Sequence, residues 1–415
     1  MTVHHREGPD TVVVGAGLAG LACALDLSRA GRRVALLEAS DGVGGRMRTD
    51  RRDGFLLDRG FQVFNTAYPQ VKRRVDLRRL RLRPFTPGYV VQHGTGPLRL
   101  ADPTRRPGWA GSLLTGKALP ARDLAAMAAL TARDALVPAD FLKRRPDDST
   151  AASLSRAGVS AATVDRVLRP FLSGVFLEDR LETSARFFHL VWRSMVRGTV
   201  CLPGDGIGAV PAQLADGLPD GVLRLEAPVA ALTASGVLLT DGAELPAATV
   251  VVATDAATAA RLLPGLSVPD SRTVTTYYHA AERSPLAEPT LVVDGSGTVL
   301  NTCVLTEAVP ACAPPGTALV STSVLGAGRA GAGETVLRRL AELYETDTSG
   351  WQQVAVRTVA GALPVMVPPW PLSRTTRFGP GRYVCGDHRA TGSVQGALAS
   401  GARAAREVLT DLARR

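Results

Sequence analysis

Lysine is almost missing from this chain: Lys72, Lys117 and Lys143 are the only three, and the other 45 of its 48 basic residues are arginine. With alanine abundant, that bias points to a GC-rich bacterial genome and makes much of the net charge of +10 compositional. Cysteine is scarce too. Cys23, Cys201, Cys303, Cys312 and Cys385 are odd in number and scattered, with no C-x-x-C spacing, which excludes the usual zinc and dithiol frameworks and leaves reduced thiols. No stretch approaches the roughly 18 consecutive apolar residues of a membrane span. The segment from Met1 to Asp10 is polar, so no secretory signal is expected and the cytoplasm is the expected location. No aromatic-interleaved or helix-turn-helix pattern accompanies the basic residues, which argues against nucleic acid as a partner.

What is present is a globular composition, 45% hydrophobic and 21% charged, over 415 residues. That length exceeds the roughly 250 to 300 residues one core usually holds, so two domains with a cleft between them are expected. One basic stretch is dense: Lys72, Arg73, Arg74, Arg78, Arg79, Arg81 and Arg83 oppose only Asp76, and Arg99, Arg105 and Arg106 follow. A solvated surface is one reading, and a peripheral membrane or anion contact through residues 72–83 is the other.

The run Thr11 to Val14 enters a glycine loop and an apolar-periodic helix through Leu21, Leu25 and Leu27, and Val34 to Leu37 ends at an acid, Glu38. Residues 11–38 therefore read as a βαβ unit. From Tyr68 to about Thr199 the pattern is mainly helical, an inserted region broken by proline turns. Strands are expected at 222–225, 236–240 and 249–253, rejoining the first unit, then at 273–280, 290–293, 298–305 and 317–324, followed by a helix near 334–344. A strand at 383–385 leads through glycines to a last helix ending near Leu412.

Gly15-Ala16-Gly17-Leu18-Ala19-Gly20 lies where a dinucleotide fingerprint must lie. The first glycine makes the tight turn, the second lets backbone approach a pyrophosphate, and the third lets helix pack on strand. The helix start offers N–H groups and the positive end of its dipole, and Glu38 can accept both hydroxyls of a ribose. At this point FAD and NAD are both open. Two further segments favour FAD, which is longer and needs second contacts: Gly44-Gly45-Arg46 after the acid, where small residues precede a cation; and Cys385-Gly386-Asp387 with Thr391-Gly392-Ser393-Val394, which lead another helix start toward the far end of the dinucleotide.

With these motifs the chain resembles the flavin amine oxidase, protoporphyrinogen oxidase and phytoene desaturase superfamily, strongly over residues 10–65 and 380–410, with fainter echoes at Gly204-Asp205-Gly206-Ile207-Gly208 and Ala227-Pro228-Val229. The resemblance implies an α/β fold of amine oxidase-like, two-domain architecture. A discontinuous Rossmann-like FAD-binding domain (1–70, 200–265, 375–415) would join an α+β substrate-binding domain (71–199, 266–374). It also implies that Gly15, Gly17, Gly20, Glu38, Gly45 and Arg46 hold the ADP half, that Val229 meets the adenine through its backbone, and that Asp387 and Val394 flank the ribityl chain and flavin. Ala16, Ala39, Gly44, Gly386 and Ser393 complete the expected cofactor contacts, and no metal is expected.

Two departures bear on the reaction. Amine oxidases of this likeness usually carry a lysine on a substrate-domain strand near the flavin; here the matching strand starts at Thr273 and holds none. Their C-terminal W-x-G-Y, half of an aromatic cage, is replaced by Gly392-Ser393-Val394-Gln395-Gly396. Both disfavour an ordinary amine oxidase and bring the chain nearer the desaturase and protoporphyrinogen oxidase branches. The expected activity is an FAD-dependent oxidase, dehydrogenase or desaturase taking a hydride from a C–C or C–N bond of a largely apolar small molecule, reoxidised by oxygen or another acceptor. A flavin-dependent isomerase or mutase, an atypical amine oxidase, and an FAD-containing membrane-associating scaffold are the alternatives. No catalytic base can be named. Gln62 should lie near the flavin by likeness, His189 reads as a satisfied core histidine, Tyr277 and Tyr278 as packed tyrosines with bonded hydroxyls, and Glu178 with Asp179 as a solvated helix start.

Overall fold

Two strands with the same sequence, Thr-Val-Val-Val at Thr11–Val14 and at Thr249–Val252, lie side by side in parallel, residue against residue. Every position in both is buried, as expected of strands covered on two faces. In this computed structural model, which describes residues 8–60, 63–93, 96–102, 104–109, 119–328 and 331–414, they form the centre of a six-stranded sheet. Its order is Leu223–Arg224, Val34–Leu37, Thr11–Val14, Thr249–Val252, Arg382–Val384 and Arg377–Gly379, parallel except for the last pair. Val13, Leu36, Val251 and Tyr383 face a core shared with the helices Leu18–Arg29 and Val394–Leu412. The other face, with Val12, Leu37, Val250 and Val384, is covered by the small sheet Val229–Leu232, Gly236–Leu239 and Glu244–Pro246 and by the helix Ala256–Leu262.

The two helices on the first face approach as closely as backbone allows. A Cβ built on Gly401 would stand 2.0 Å from the carbonyl oxygen of Ala19, and one on Gly20 would stand 1.9 Å from that of Gly15. Only hydrogen fits at either position, so these glycines set how near the helices come to each other and to the sheet. The helix Pro69–Arg74 and the side chains Val71, Val75 and Leu80 pack into the same core.

A second, seven-stranded sheet runs in the order Gln352–Pro364, Ser271–Ala281, Ala318–Leu325, Asn301–Val304, Leu291–Asp294, Gly88–His93 and Gly96–Ala101. Its two faces have different partners. Tyr277 and Val299 meet Val336, Leu340 and Leu343 of the helix Ala332–Tyr344, while Tyr278, Cys303 and Leu319 meet Leu56 and Leu57 of the hairpin Thr49–Arg52 and Phe55–Asp58. The stretch expected to be mainly helical does hold helices, Ala121–Leu136, Ala139–Arg144, Thr150–Arg156, Arg169–Phe176 and Ala185–Arg197, but it also supplies the last two strands of this sheet. The Gly88–His93 strand pairs in parallel with Leu291–Asp294, a partner so distant in sequence that local periodicity carries no trace of it. Within that stretch a wider π turn over Val164–Leu168 leads into the helix Arg169–Phe176.

Glu178 is not at a solvated helix start: it is 3% exposed, and it follows a helix rather than opening one. Its carboxylate accepts the Thr183 N–H at 3.1 Å, the Thr183 hydroxyl at 2.9 Å and the Arg180 N–H at 2.8 Å. It thereby holds a turn in which Leu177 and Leu181 both take positive φ. Asp179 beside it is exposed.

The substitution Gly401→Ala should push the Val394–Leu412 helix off Ala19 and cost about 1–3 kcal/mol, as overpacking usually does. Urea unfolding of the two proteins measures it, and an unchanged midpoint would mean that the helices separate without strain.

Candidate functional site

Three adjacent parallel strands end at one edge, and each continues into a turn. Thr11–Val14 runs into Gly15-Ala16-Gly17, Thr249–Val252 into Asp255, and Arg382–Val384 into Gly386-Asp387. Backbone bonds step across this edge: Gly15 N–H to Leu37 O at 2.7 Å, Ala253 N–H to Val14 O at 2.8 Å and Cys385 N–H to Val252 O at 2.9 Å. Carboxyl edges of such sheets are where ligands of doubly wound folds bind.

Gly15 has φ +101, and a Cβ there would meet the Ala253 carbonyl at 3.1 Å. Gly17 differs: its φ of −71 suits any residue, and a Cβ on it would meet nothing within 4 Å. The space in front of this backbone is open. The Leu18–Arg29 helix that starts there has no side-chain cap and no acid in its first turn, so its end is left positive for an anion. Gly44 lies against the loop, its N–H bonded to Ala16 O at 2.9 Å, and the exposed Gly45 faces Gly17. Glu38 is already engaged: it accepts the Ala16 N–H at 2.7 Å on one oxygen, and the Ser40 N–H and hydroxyl at 3.0 and 2.7 Å on the other. The segment that leads to Val229 runs alongside, with Ala227 N–H on Glu38 O at 2.8 Å; Ala39 beside it is exposed.

Arg46 joins three remote parts of the chain. Its guanidinium donates to Asp387 Oδ1 at 2.6 Å, to Ala362 O at 2.8 Å and to Gly361 O at 3.2 Å. The attraction of Asp387 raises the Arg46 pKa above its already high ordinary value. Asp255, which no motif marks in the sequence, shares this field. Burial works against its ionisation, yet bonds from Thr258 and the nearby Arg46 hold its pKa below the ordinary value. Its one sequence signal is a strand ending one turn before a helix, the same arrangement as at Gly15. Ser393 and Val394 are half-buried, and Ser393 caps its own helix by accepting the Gly396 N–H at 3.0 Å.

The Gly204–Gly208 echo is tied to the same region through Asp58. This carboxyl accepts the Thr49 hydroxyl at 2.5 Å and the Ile207 N–H at 3.0 Å, and burial pushes its pKa up to about 6. Tyr278 donates its hydroxyl to Asp58 O at 2.6 Å, while Tyr277 on the opposite face stacks beside His279. His189 lies in the helical layer, bonded to Asp134 at 2.7 Å and to Ser153 at 3.0 Å, a satisfied core histidine. Thr273 is half-buried on Ser271–Ala281. Gln62 lies outside the described residues. Of the basic stretch, Arg74, Arg79 and Arg81 are paired to Asp26, Asp216 and Asp205.

Residues 18–409 match the model of the flavin containing amine oxidoreductase family. The chain belongs to this family. It is 28% identical over 396 residues to coproporphyrinogen III oxidase of Propionibacterium freudenreichii, covering 80% of this chain and 73% of that protein. It is 33% identical over 102 residues, 23% of its length and 20% of the relative's, to protoporphyrinogen oxidase 2 of Arabidopsis thaliana. Among solved structures it shares the fold of cyclohexylamine oxidase from Brevibacterium oxydans, with TM-score 0.71, 16% identity, and coverage of 98% and 100% of the two chains. An oxidoreductase from Methanosarcina mazei gives TM-score 0.72 at 18% identity over 96% and 99%. The expected amine oxidase-like α/β fold is therefore the one observed, and the chain is an oxidoreductase of a flavin-containing family. No described helix is long and apolar enough to cross a membrane.

His388, beneath the Gly386 turn, is 1% exposed, and neither ring nitrogen has a partner among the described residues. Burial lowers its pKa from 6.5 to about 4. Between those values the unfolded chain binds a proton that the folded one refuses, so stability is lost as pH falls from about 6.5 to about 4. Asp58 works in the opposite sense over a similar range, its folded carboxyl keeping a proton longer than the unfolded one. Replacing His388 by Leu should leave the melting temperature at pH 7 little changed and shrink its drop between pH 7 and pH 5; an undiminished drop would show that His388 carries none of it.

Proposed function

We propose that this chain is an FAD-dependent oxidoreductase that removes two hydrogens across a C–C or C–N bond of a largely apolar small molecule, one as a hydride from carbon and the other as a proton to solvent, with oxygen or another acceptor reoxidising the flavin. The observation that carries the reading is the open space at Gly17 before an uncapped helix start, next to a turn, Gly44–Arg46, that is bonded to the Asp387 turn of the last strand. A cradle assembled from both ends of the sheet edge suits a long dinucleotide better than a short one.

In this reading Gly15, Ala16, Gly17 and Gly20 admit the pyrophosphate, and Glu38 exchanges part of its backbone bonding for ribose hydroxyls, with Ala39 beside it. Gly44, Gly45 and Arg46 cover the phosphates, the Val229 backbone meets adenine, and Gly386, Asp387, Ser393 and Val394 lie along the ribityl and flavin half. Residues 1–70, 200–265 and 375–415 make the FAD-binding domain, and 71–199 with 266–374 the substrate-binding domain.

Bound FAD supplies hydride acceptance, which asks of the protein chiefly orientation and a dry surround. The chain provides both beside Arg46. Its two anchoring carbonyls belong to Gly361 and Ala362, and Ala362 and Leu363 pack with Leu177, Val274 and Leu300 into an apolar wall. Arg46, fixed by Asp387, holds positive charge at the cradle without a side-chain rearrangement. The strand Ser271–Ala281 presents no amine, and a relative that matches 80% of this chain is named for a porphyrinogen. Porphyrinogens are therefore the first substrate class to try, ahead of amines and carotenoid precursors.

Purified protein should be yellow, and anaerobic addition of a porphyrinogen should bleach the flavin band near about 450 nm. Bleaching by none of the three compound classes would sink the oxidoreductase reading; colourless protein that FAD cannot reconstitute would sink the cofactor. The substitution Gly17→Ala separates binding from folding. Its methyl enters space the protein leaves open, so the apoprotein should melt as before while FAD affinity falls at least about tenfold. Equal affinity in the variant would move the pyrophosphate elsewhere.

A further inference from the structure

Two side chains stand out on the surface. Leu136 is 80% exposed and Phe141 55% exposed, the highest values of any large hydrophobic residue among those described. They are five residues apart, on either side of the Val137-Pro138 turn that joins the helices Ala121–Leu136 and Ala139–Arg144. The longer helix extends the patch backwards. Its inner face buries Leu130 and Asp134, but Ala125, Ala128, Ala129 and Ala132 lie exposed at the spacing of one helical face that ends on Leu136. A solvent-facing helix surface normally carries charges, and this helix has none between Asp123 and Arg133.

The charges are at its end, and most of the exposed ones are basic. Arg193 donates to the carbonyls of Asp134, Ala135 and Val137 at 2.6, 3.0 and 2.6 Å, and the exposed Arg197 donates to Ala135 O at 2.8 Å, which places both guanidiniums against the helix terminus at Leu136. Lys143 and Arg144 are exposed on the helix that carries Phe141, Arg144 one turn beyond it. Asp140 is the exposed acid here, and Lys143 already pairs with it at 2.9 Å.

We propose that this tip is a peripheral membrane contact: Leu136 and Phe141 enter the interface of a bilayer while Lys143, Arg144 and Arg197 meet anionic headgroups. An apolar helix face bordered by cations is the pattern of helices that lie on membranes rather than cross them. The same charges argue against a second copy of the chain as the occupant, because a two-fold contact would bring this cationic rim against itself. The tip serves this role whatever the substrate. It is formed by residues other than those of the basic stretch 72–83.

The test is co-sedimentation of the full-length, flavin-loaded protein with vesicles of phosphatidylcholine alone or mixed with phosphatidylglycerol. The wild type should bind the mixed vesicles and bind the neutral ones far less, since each basic residue near an anionic surface strengthens binding severalfold, about fivefold at most. The variant L136E/F141E should bind at least about tenfold more weakly while keeping its melting temperature. K143E/R144E, which leaves the apolar tip intact, should lose the preference for phosphatidylglycerol. Absence of binding to mixed vesicles, or equal binding by L136E/F141E, overturns the proposal. So does concentration-dependent self-association in lipid-free sedimentation that L136E/F141E abolishes, which would give the tip to a second copy.

Discussion

One guanidinium holds together what the chain order keeps apart. Arg46 and Asp387 are 341 residues apart in sequence, yet their ion pair fixes the turn after the second parallel strand onto the turn after the fifth. The same side chain grips two carbonyls of the long edge strand of the other sheet. Asp387 is 8% exposed, and Arg46 is 37% exposed. An arginine suits this post because its planar fork serves a carboxylate and carbonyls together and stays charged at any accessible pH. Lysine has a single point of charge and would have to choose among them.

Close packing supports that pair from below. Gly20 and Gly401 remove the side chains that would separate the first and last helices, so the turns above them are held in register by backbone contact. Asp58 extends the framework to the second sheet, with Thr49 and Ile207 on its carboxyl and Tyr278 on its carbonyl. A buried carboxyl with a pKa of about 6 costs stability when it ionises, which makes this joint sensitive to the pH range in which His388 also titrates.

The parts that can be read from sequence are those whose physics is local. A glycine loop between a β-branched run and an amphipathic helix marks a strand, a tight turn and a helix start in that order, and Gly15, Gly17 and Gly20 occupy the positions their spacing predicts. The strands at 249–252 and 382–384 are legible as apolar runs for the same reason. What escapes depends on partners far along the chain. Gly88–His93 is short and set among prolines, and it becomes a strand because Leu291–Asp294 lies beside it. Asp255 looks like any helix cap until the fold places Arg46 nearby. Glu178 resembles a surface acid, although three donors within five residues of it bury its charge in a turn. Glu38 stands out by its spacing from the glycines, but its bonds to the Ala16 and Ser40 backbone do not.

The strand order also constrains when the protein can be assembled. Thr11–Val14 is made early in synthesis, but its neighbour on one side, Thr249–Val252, emerges after the whole helical region, and Arg382–Val384 emerges later still. Non-local parallel pairing of this kind is slow, because loop closure must come before the contacts that reward it. Until Thr249–Val252 arrives, the first βαβ unit has an open edge, and until Val394–Leu412 arrives its helix has an apolar face with no cover. The nascent chain therefore carries exposed apolar surface for most of its synthesis, which makes that stage the one most open to aggregation.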